Sequence, residues 1–227
     1  RNPAFRRRSR LFPTCPTSSP ARVSSISSDG GDPRVRPGSS VSLVAMPGAG
    51  KSTAGRHLAA ALGWRFVDAD VEIEQRIGMS IRAYFEREGE QAFRDLEQQV
   101  IAELVQIRPP IVLATGGGSV LREANRRALR ENSVVVYLRA SPEELFRRLR
   151  HDTQRPLLQV ADPLRKLREL YRDRDAFYRE TAHFVIETGR PSVPTLVNMI
   201  LMQLELAGVV PDDERPLPGS FPSRSRR

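Results

Sequence analysis

Apolar residues along this chain fall into short, almost unbroken runs, separated by stretches of amphipathic character. The runs are Val41-Ser42-Leu43-Val44-Ala45, Trp64 to Val67, Ile111 to Ala114, Ser133 to Leu138 and Phe184 to Ile186. They are too short for helices and suit buried strands. Between them the spacing becomes helical. Leu58, Ala59 and Leu62 share one face of the stretch from Ser52 to Leu62, which Gly63 stops. A second helix is predicted from Asp70 to Ile77, ended by Gly78, and Ser80 opens another. Longer helical patterns run from Glu90 to Gln106 and from Val193 to Ala207. Ser141-Pro142-Glu143-Glu144 reads as a helix start, with proline at the first position and an acid three residues after the cap.

Strands apolar along their whole length are buried on both faces, and strands alternating with helices form parallel sheets. The predicted fold is a doubly wound α/β domain, with a five-stranded parallel sheet and helices on both faces. Ligands of such sheets lie beyond the carboxyl ends of the strands. The unusual residues of this sequence follow Ala45, Val67 and Ala114, which are three of those ends.

The flanks carry no such pattern. Residues 1–39 are rich in Ser, Pro and Arg, and too few of them are apolar to offset the entropy of ordering. They are expected to be a disordered basic tail, residues 209–227 a second one, and 40–208 the folded domain. Arg6-Arg7-Arg8-Ser9-Arg10 also resembles an organellar targeting segment. No uninterrupted apolar core of a secretory signal is present, so a cytoplasmic location is expected, with targeting as the alternative.

The formal net charge of +9 changes meaning once it is located. Residues 1–39 hold 8 arginines against 2 acids, residues 40–208 hold 24 cations against 22 acids, and residues 209–227 hold 4 arginines against 3 acids. The folded part is nearly neutral and has no need of a polyanion partner, so neither nucleic acid nor membrane is expected. No run approaches the ~20 apolar residues of a membrane span. A single cysteine, Cys15, excludes an intramolecular disulfide framework. His57, His151 and His183 show no metal-ligand spacing.

The first chemical motif is Ala45-Met46-Pro47-Gly48-Ala49-Gly50-Lys51-Ser52-Thr53, which joins the first strand to the first helix. It fits the phosphate-binding loop G-x-x-x-x-G-K-[ST], apart from Ala45 at the first glycine. Backbone N–H groups of Gly48, Ala49 and Gly50 and the helix start at Ser52 and Thr53 suit phosphates, Lys51 reaches the β- and γ-phosphates, and the Ser52 hydroxyl suits Mg²⁺. Ala45 is tolerated provided that its φ is negative. Second is Asp68-Ala69-Asp70, where one carboxylate suits Mg²⁺ and the other an acceptor hydroxyl. An exposed acidic turn is the plain alternative. Third is Gly116-Gly117-Gly118, which lets backbone amides approach a ligand closely, or serves as a flexible turn. Arginines can bind carboxylate or phosphate bidentately. With 34 of them in the chain, chemistry alone does not single out Arg94, Arg155 or Arg174.

Taken in order, the loop through Thr53, Asp68-Ala69-Asp70, Gly89-Glu90-x-x-Phe93-Arg94, the three glycines and Arg155-Pro156-Leu157-Leu158 resemble the shikimate kinase family. That family belongs to the nucleoside-monophosphate-kinase-like branch of P-loop kinases, and the resemblance covers about residues 41–207. It implies a P-loop kinase with a lid, here from about His151 to Pro163, that phosphorylates shikimate with ATP and Mg²⁺. By the resemblance, Lys51, Asp70 and Arg155 are catalytic, with Asp70 also taking ring hydroxyls and acting as the base. Asp70, Arg94, Gly117, Gly118 and Arg174 bind shikimate, with Arg94 and Arg174, the latter on the helix after the lid, taking its carboxylate. Asp68 holds Mg²⁺ through water beside Ser52. Arg155 reaches the ATP phosphates, and Arg148 and Arg190 flank adenine. A monomer is expected. Two rival readings share parts of this pattern: another small-molecule P-loop kinase, such as a gluconate kinase, and a nucleotide-binding regulatory protein that uses the basic N-terminus.

Overall fold

The computed structural model describes residues 38–149, 160–189 and 191–210. Five strands form the sheet: β1 (Ser40–Val44), β2 (Arg65–Asp68), β3 (Ile111–Ala114), β4 (Ser133–Arg139) and β5 (Phe184–Glu187). Their order is β2-β3-β1-β4-β5, and every neighbouring pair is parallel. β1 and β3 are buried along their whole length, and β4 up to Leu138. The edge strands β2 and β5 each bury one residue fully. This is the burial expected of continuous apolar strands sandwiched between helices.

The helices are α1 (Lys51–Leu62), α2 (Ala69–Ile77), α3 (Ile81–Leu104), α4 (Glu123–Asn132), α5 (Pro142–Leu149), α6 (Pro163–Thr181) and α7 (Val193–Leu206). α1 packs along α7, while α4 packs on β4 and α6. Caps fix several ends. Gly63 and Gly78 close α1 and α2 in left-handed conformations, while Ser80 and Ser192 cap α3 and α7 through their hydroxyls. The two helices expected around Gly89 form one element, bent where Gly89 takes φ +84°. α4 has no counterpart among the sequence expectations. Half of its ten residues are charged, and only Asn125 and Leu129 are buried.

The register decides where the loops emerge. Leu43 lies beside Ala114, and Asp68 lies beside the same residue on its other side. The chain segments after β1, β2 and β3 therefore leave the sheet along one edge. Beyond β1 the connections turn to opposite sides of the sheet, with β3 on one flank and β4 on the other. That opens a crevice at the carboxyl ends, where α/β sheets bind ligands.

Gly38 and Val209 lie just outside the expected edges at 40 and 208. Val209 is fully buried in the core, and the Gly38 N–H donates to its carbonyl at 3.1 Å. The tail readings for residues 1–37 and 211–227, and most of the lid, lie outside the described residues. No described helix is long and apolar enough to cross a membrane.

Candidate active site

The loop after β1 turns through two glycines. Gly48 has φ +84° and Gly50 has φ +90°, and Gly50 is the N-cap of α1. A Cβ on Gly48 would stand 2.5 Å from the Leu149 side chain, so this glycine is demanded by packing as well as by its backbone. Among the described residues no non-glycine takes a positive φ, so Ala45 replaces the motif's first glycine without backbone strain. Ala45 and Met46 are buried, and Ala49 closes the turn with its N–H on the Met46 carbonyl at 3.2 Å. Lys51 Nζ folds back over the loop and donates to the Ala45 carbonyl at 3.0 Å and the Met46 carbonyl at 3.4 Å. Thr53 is exposed in the first turn of the helix.

Asp68 ends β2 and caps α2. Its Oδ1 accepts the Asp70 N–H at 3.1 Å, and its Oδ2 accepts the Ser52 hydroxyl at 2.7 Å. One carboxylate thus joins the starts of α1 and α2. Among the described residues no group of three or more His, Cys, Asp and Glu could hold a metal ion. A hydroxyl and a carboxylate oxygen in contact nevertheless suit Mg²⁺, which prefers few protein oxygens together with phosphates and water. Asp70 lies one step deeper. Burial, the largest cause, and the Asp68 charge push its carboxyl up to about 6 against the opposing charge of Lys51.

The three glycines follow β3. Thr115 ties them to the phosphate loop's strand, its N–H and hydroxyl both donating to the Leu43 carbonyl. Each glycine faces a crowded neighbour. A Cβ on Gly116 would lie 2.7 Å from Asp70 Oδ1 and 2.9 Å from Glu97 Oε1. One on Gly117 would lie 2.8 Å from the Pro47 ring, and one on Gly118 would collide with an Arg94 guanidinium nitrogen. The Arg174 Nη1 donates to the Gly117 carbonyl at 3.2 Å. Hence Asp70, Arg94, Arg174 and the glycines, chosen from distant parts of the sequence, surround one spot beside the phosphate loop.

Two residues absent from the sequence reading belong to the same cluster. Glu97 is buried, and its Oε2 accepts the Arg94 Nη1 at 2.7 Å. A glutamate three residues after an arginine is a common helix-surface pair, and nothing in its spacing announces burial. Tyr178, fully buried on α6, donates its hydroxyl to the Gly117 carbonyl.

Arg148 sits at the end of α5. Its Nη1 reaches the Ala49 carbonyl at 3.4 Å, and its Nη2 donates to the Thr188 carbonyl. It therefore links the phosphate loop to the segment after β5, where the adenine contact is expected. Arg155 and Arg190 lie outside the described residues, as does the lid from His151 to Gln159.

A glycine-turned phosphate loop after the central strand, with a carboxylate pair and two arginines facing it across the crevice, defines the class. This is a P-loop kinase. The model of the shikimate kinase family matches residues 47–205. A shikimate kinase of Paracidovorax citrulli is 62% identical over 174 residues, which make up 76% of this chain and 95% of that protein. Among solved structures, a shikimate kinase from Acinetobacter baumannii in complex with shikimate superposes with a TM-score of 0.70 at 44% identity, covering 74% of this chain and 93% of that one. A gluconokinase from Sinorhizobium meliloti, at 22% identity, a TM-score of 0.50 and coverage of 76% and 95%, shares the fold alone. The chain belongs to the shikimate kinase family and is a phosphotransferase that uses ATP as a substrate.

Proposed function

We propose that the chain transfers the γ-phosphoryl group of ATP to the 3-hydroxyl of shikimate, giving shikimate 3-phosphate and ADP. The observation that carries this reading is the convergence of Asp70, Arg94 and Arg174 on Gly116-Gly117-Gly118, directly beside the phosphate loop. A hydroxylated acid needs this combination: two guanidinium groups for its carboxylate and one carboxylate for its hydroxyls.

The reaction follows from placement. The shikimate hydroxyl oxygen attacks the γ-phosphorus while the bond to the β-phosphate oxygen breaks and ADP leaves. Asp70 accepts the hydroxyl proton. A carboxylate held at about 6 is ionised at neutral pH, yet more basic than an ordinary aspartate. Lys51, on the loop's carbonyls before a nucleotide binds, turns its charge to the transferring phosphoryl group. Gly48, Ala49 and Gly50 present backbone N–H groups, with Ser52 and Thr53 at the helix start. Ser52 and Asp68 would hold Mg²⁺, which neutralises phosphate charge when bound. Arg148 flanks the nucleotide base, and the family resemblance gives Arg155 a share in the phosphate charge and Arg190 a place by adenine. Both substrates are small and soluble, in keeping with a monomer working in the cytoplasm.

An ADP-release assay with shikimate, run against gluconate and a panel of polyols and sugar acids, tests this. Shikimate-dependent turnover well above every other acceptor is expected. Equal or faster turnover with gluconate would overturn the acceptor assignment, and ADP release independent of any acceptor would overturn the kinase reading.

A further inference from the structure

We propose that Tyr178 is a positioning residue for the acceptor site, which fixes the plane of the Gly117–Gly118 peptide. The inference rests on the shikimate-phosphorylating reading above. A peptide between two glycines has no Cβ to restrain it, so its plane must be held from outside. Two groups hold it, both on α6 and one turn apart. The Arg174 Nη1 and the Tyr178 hydroxyl both donate to the Gly117 carbonyl. In a trans peptide the N–H points opposite the carbonyl, so the same two bonds turn the Gly118 N–H away from α6.

The two latches are not equivalent. Arg174 is assigned to the acceptor's carboxylate, and turning toward it gives up the bond to Gly117. The Tyr178 hydroxyl also hydrogen-bonds the Arg174 side chain, but Tyr178 itself is not assigned to the substrate. It is fully buried, and its ring stacks on Tyr137 with centroids 4.9 Å apart and planes 22° from parallel. Tyr137 spends its own hydroxyl elsewhere, donating to Asp175 Oδ1 at 2.9 Å. Asp175 also accepts from Arg179 Nε at 2.6 Å. The stacked pair therefore divides into one tyrosine that addresses the glycine turn and one that addresses the network on α6. Tyr178 keeps the turn in its binding form while Arg174 moves between Gly117 and the substrate.

That division supplies the control. Phenylalanine preserves the ring and the stack at either position, and removes one hydroxyl. For Tyr178→Phe the shikimate KM, and the Kd from titration calorimetry, should rise about 3- to 10-fold, with the ATP KM within about twofold of the parent. For Tyr137→Phe the shikimate KM should stay within about twofold of the parent even where the melting temperature falls. Unchanged shikimate binding in Tyr178→Phe would overturn the proposal. So would an equal loss of shikimate affinity in Tyr137→Phe, since both hydroxyls would then act only through general packing. A parent protein without shikimate-dependent turnover would instead overturn the proposed function, so the two failures are distinguishable.

Discussion

The Ser52 hydroxyl donates to Asp68 Oδ2 at 2.7 Å, although the strands that precede these residues are separated in the sheet by β3. The bond is reachable because Leu43 near the end of β1 and Asp68 at the end of β2 both flank Ala114, so the loops to α1 and α2 emerge close together. Asp68 also caps α2 through the Asp70 N–H. A single carboxylate thereby sets the distance between the phosphate loop and the residue proposed as the base.

Lys51 is expected to matter through charge alone. Lys51→Ala removes a cation aimed at the transferring group, which should cost about 3–4 kcal/mol of transition-state stabilisation, or about 10²–10³ in kcat. Its contacts in the free protein include the Ala45 and Met46 carbonyls of its own loop. Circular dichroism and the melting temperature should therefore barely move. A variant with half the parent's turnover would remove the phosphate loop from the mechanism.

Asp70 should give two opposite pH signatures. Its native carboxyl lies at about 6, above the ordinary 3.8, with burial the largest cause. As a base it must be ionised, so kcat/KM for shikimate should fall with unit slope below pH about 6. For stability the sign is reversed. Between the two values the native state binds more protons than the unfolded state, so stability declines as pH rises from about 4 to about 6. The term is fully present below the unfolded value and is lost above the folded one, up to about 3 kcal/mol. Asp70→Asn should thus be inactive yet more stable than the parent at pH 8 by about 1–3 kcal/mol, and urea denaturation at pH 8 checks this.

How much of this was legible in the sequence depends on what kind of signal each feature leaves. Ile111–Ala114 is recovered to the residue because a fully buried parallel strand must be continuously apolar. The phosphate loop is equally plain, because backbone turning demands glycine at particular spacings. α4 left no trace, since a helix that buries only Asn125 and Leu129 has almost no apolar stripe. Glu97 and Tyr178 escaped for a different reason. Their roles depend on Arg94 and on the Gly117 carbonyl, and only the folded chain brings Tyr178 to Gly117. Val209, just past the expected boundary at 208, leaves no periodic signal in the sequence, although it is fully buried.

That boundary has a measurable consequence. We propose residues 38–210 as the folded unit, and a chain cut to those limits should match the parent in melting temperature and kinetics. Cutting to 40–208 removes buried Val209 and the bond from Gly38. Loss of that side chain's burial should lower stability by about 1–3 kcal/mol in urea denaturation. Equal stability of both truncated chains would show that Val209 contributes nothing. Lower stability of the 38–210 chain would show that a tail docks on the body.

We propose that the choice of acceptor turns on Arg94. Its guanidinium is anchored by Glu97 at 2.7 Å on Nη1 and by Glu90 at 3.3 Å on Nη2, and it lies against Gly118, which fixes its direction before substrate arrives. A charge-assisted bond to the acceptor's carboxylate is worth about 1.5–3 kcal/mol, so Arg94→Ala should raise the shikimate KM about 10- to 150-fold. The ATP KM should move little, because the phosphates belong to the loop around Lys51. Arg94→Lys should not rescue binding, since one ammonium cannot hold Glu97 and present a planar fork to a carboxylate at once. The informative comparison is a cycle of parent and Arg94→Ala against shikimate and its carboxamide. The parent should reject the amide strongly, and the variant should discriminate far less. If the two penalties simply add, Arg94 and the carboxylate do not interact, and the site would have to recognise its acceptor through the hydroxyls alone.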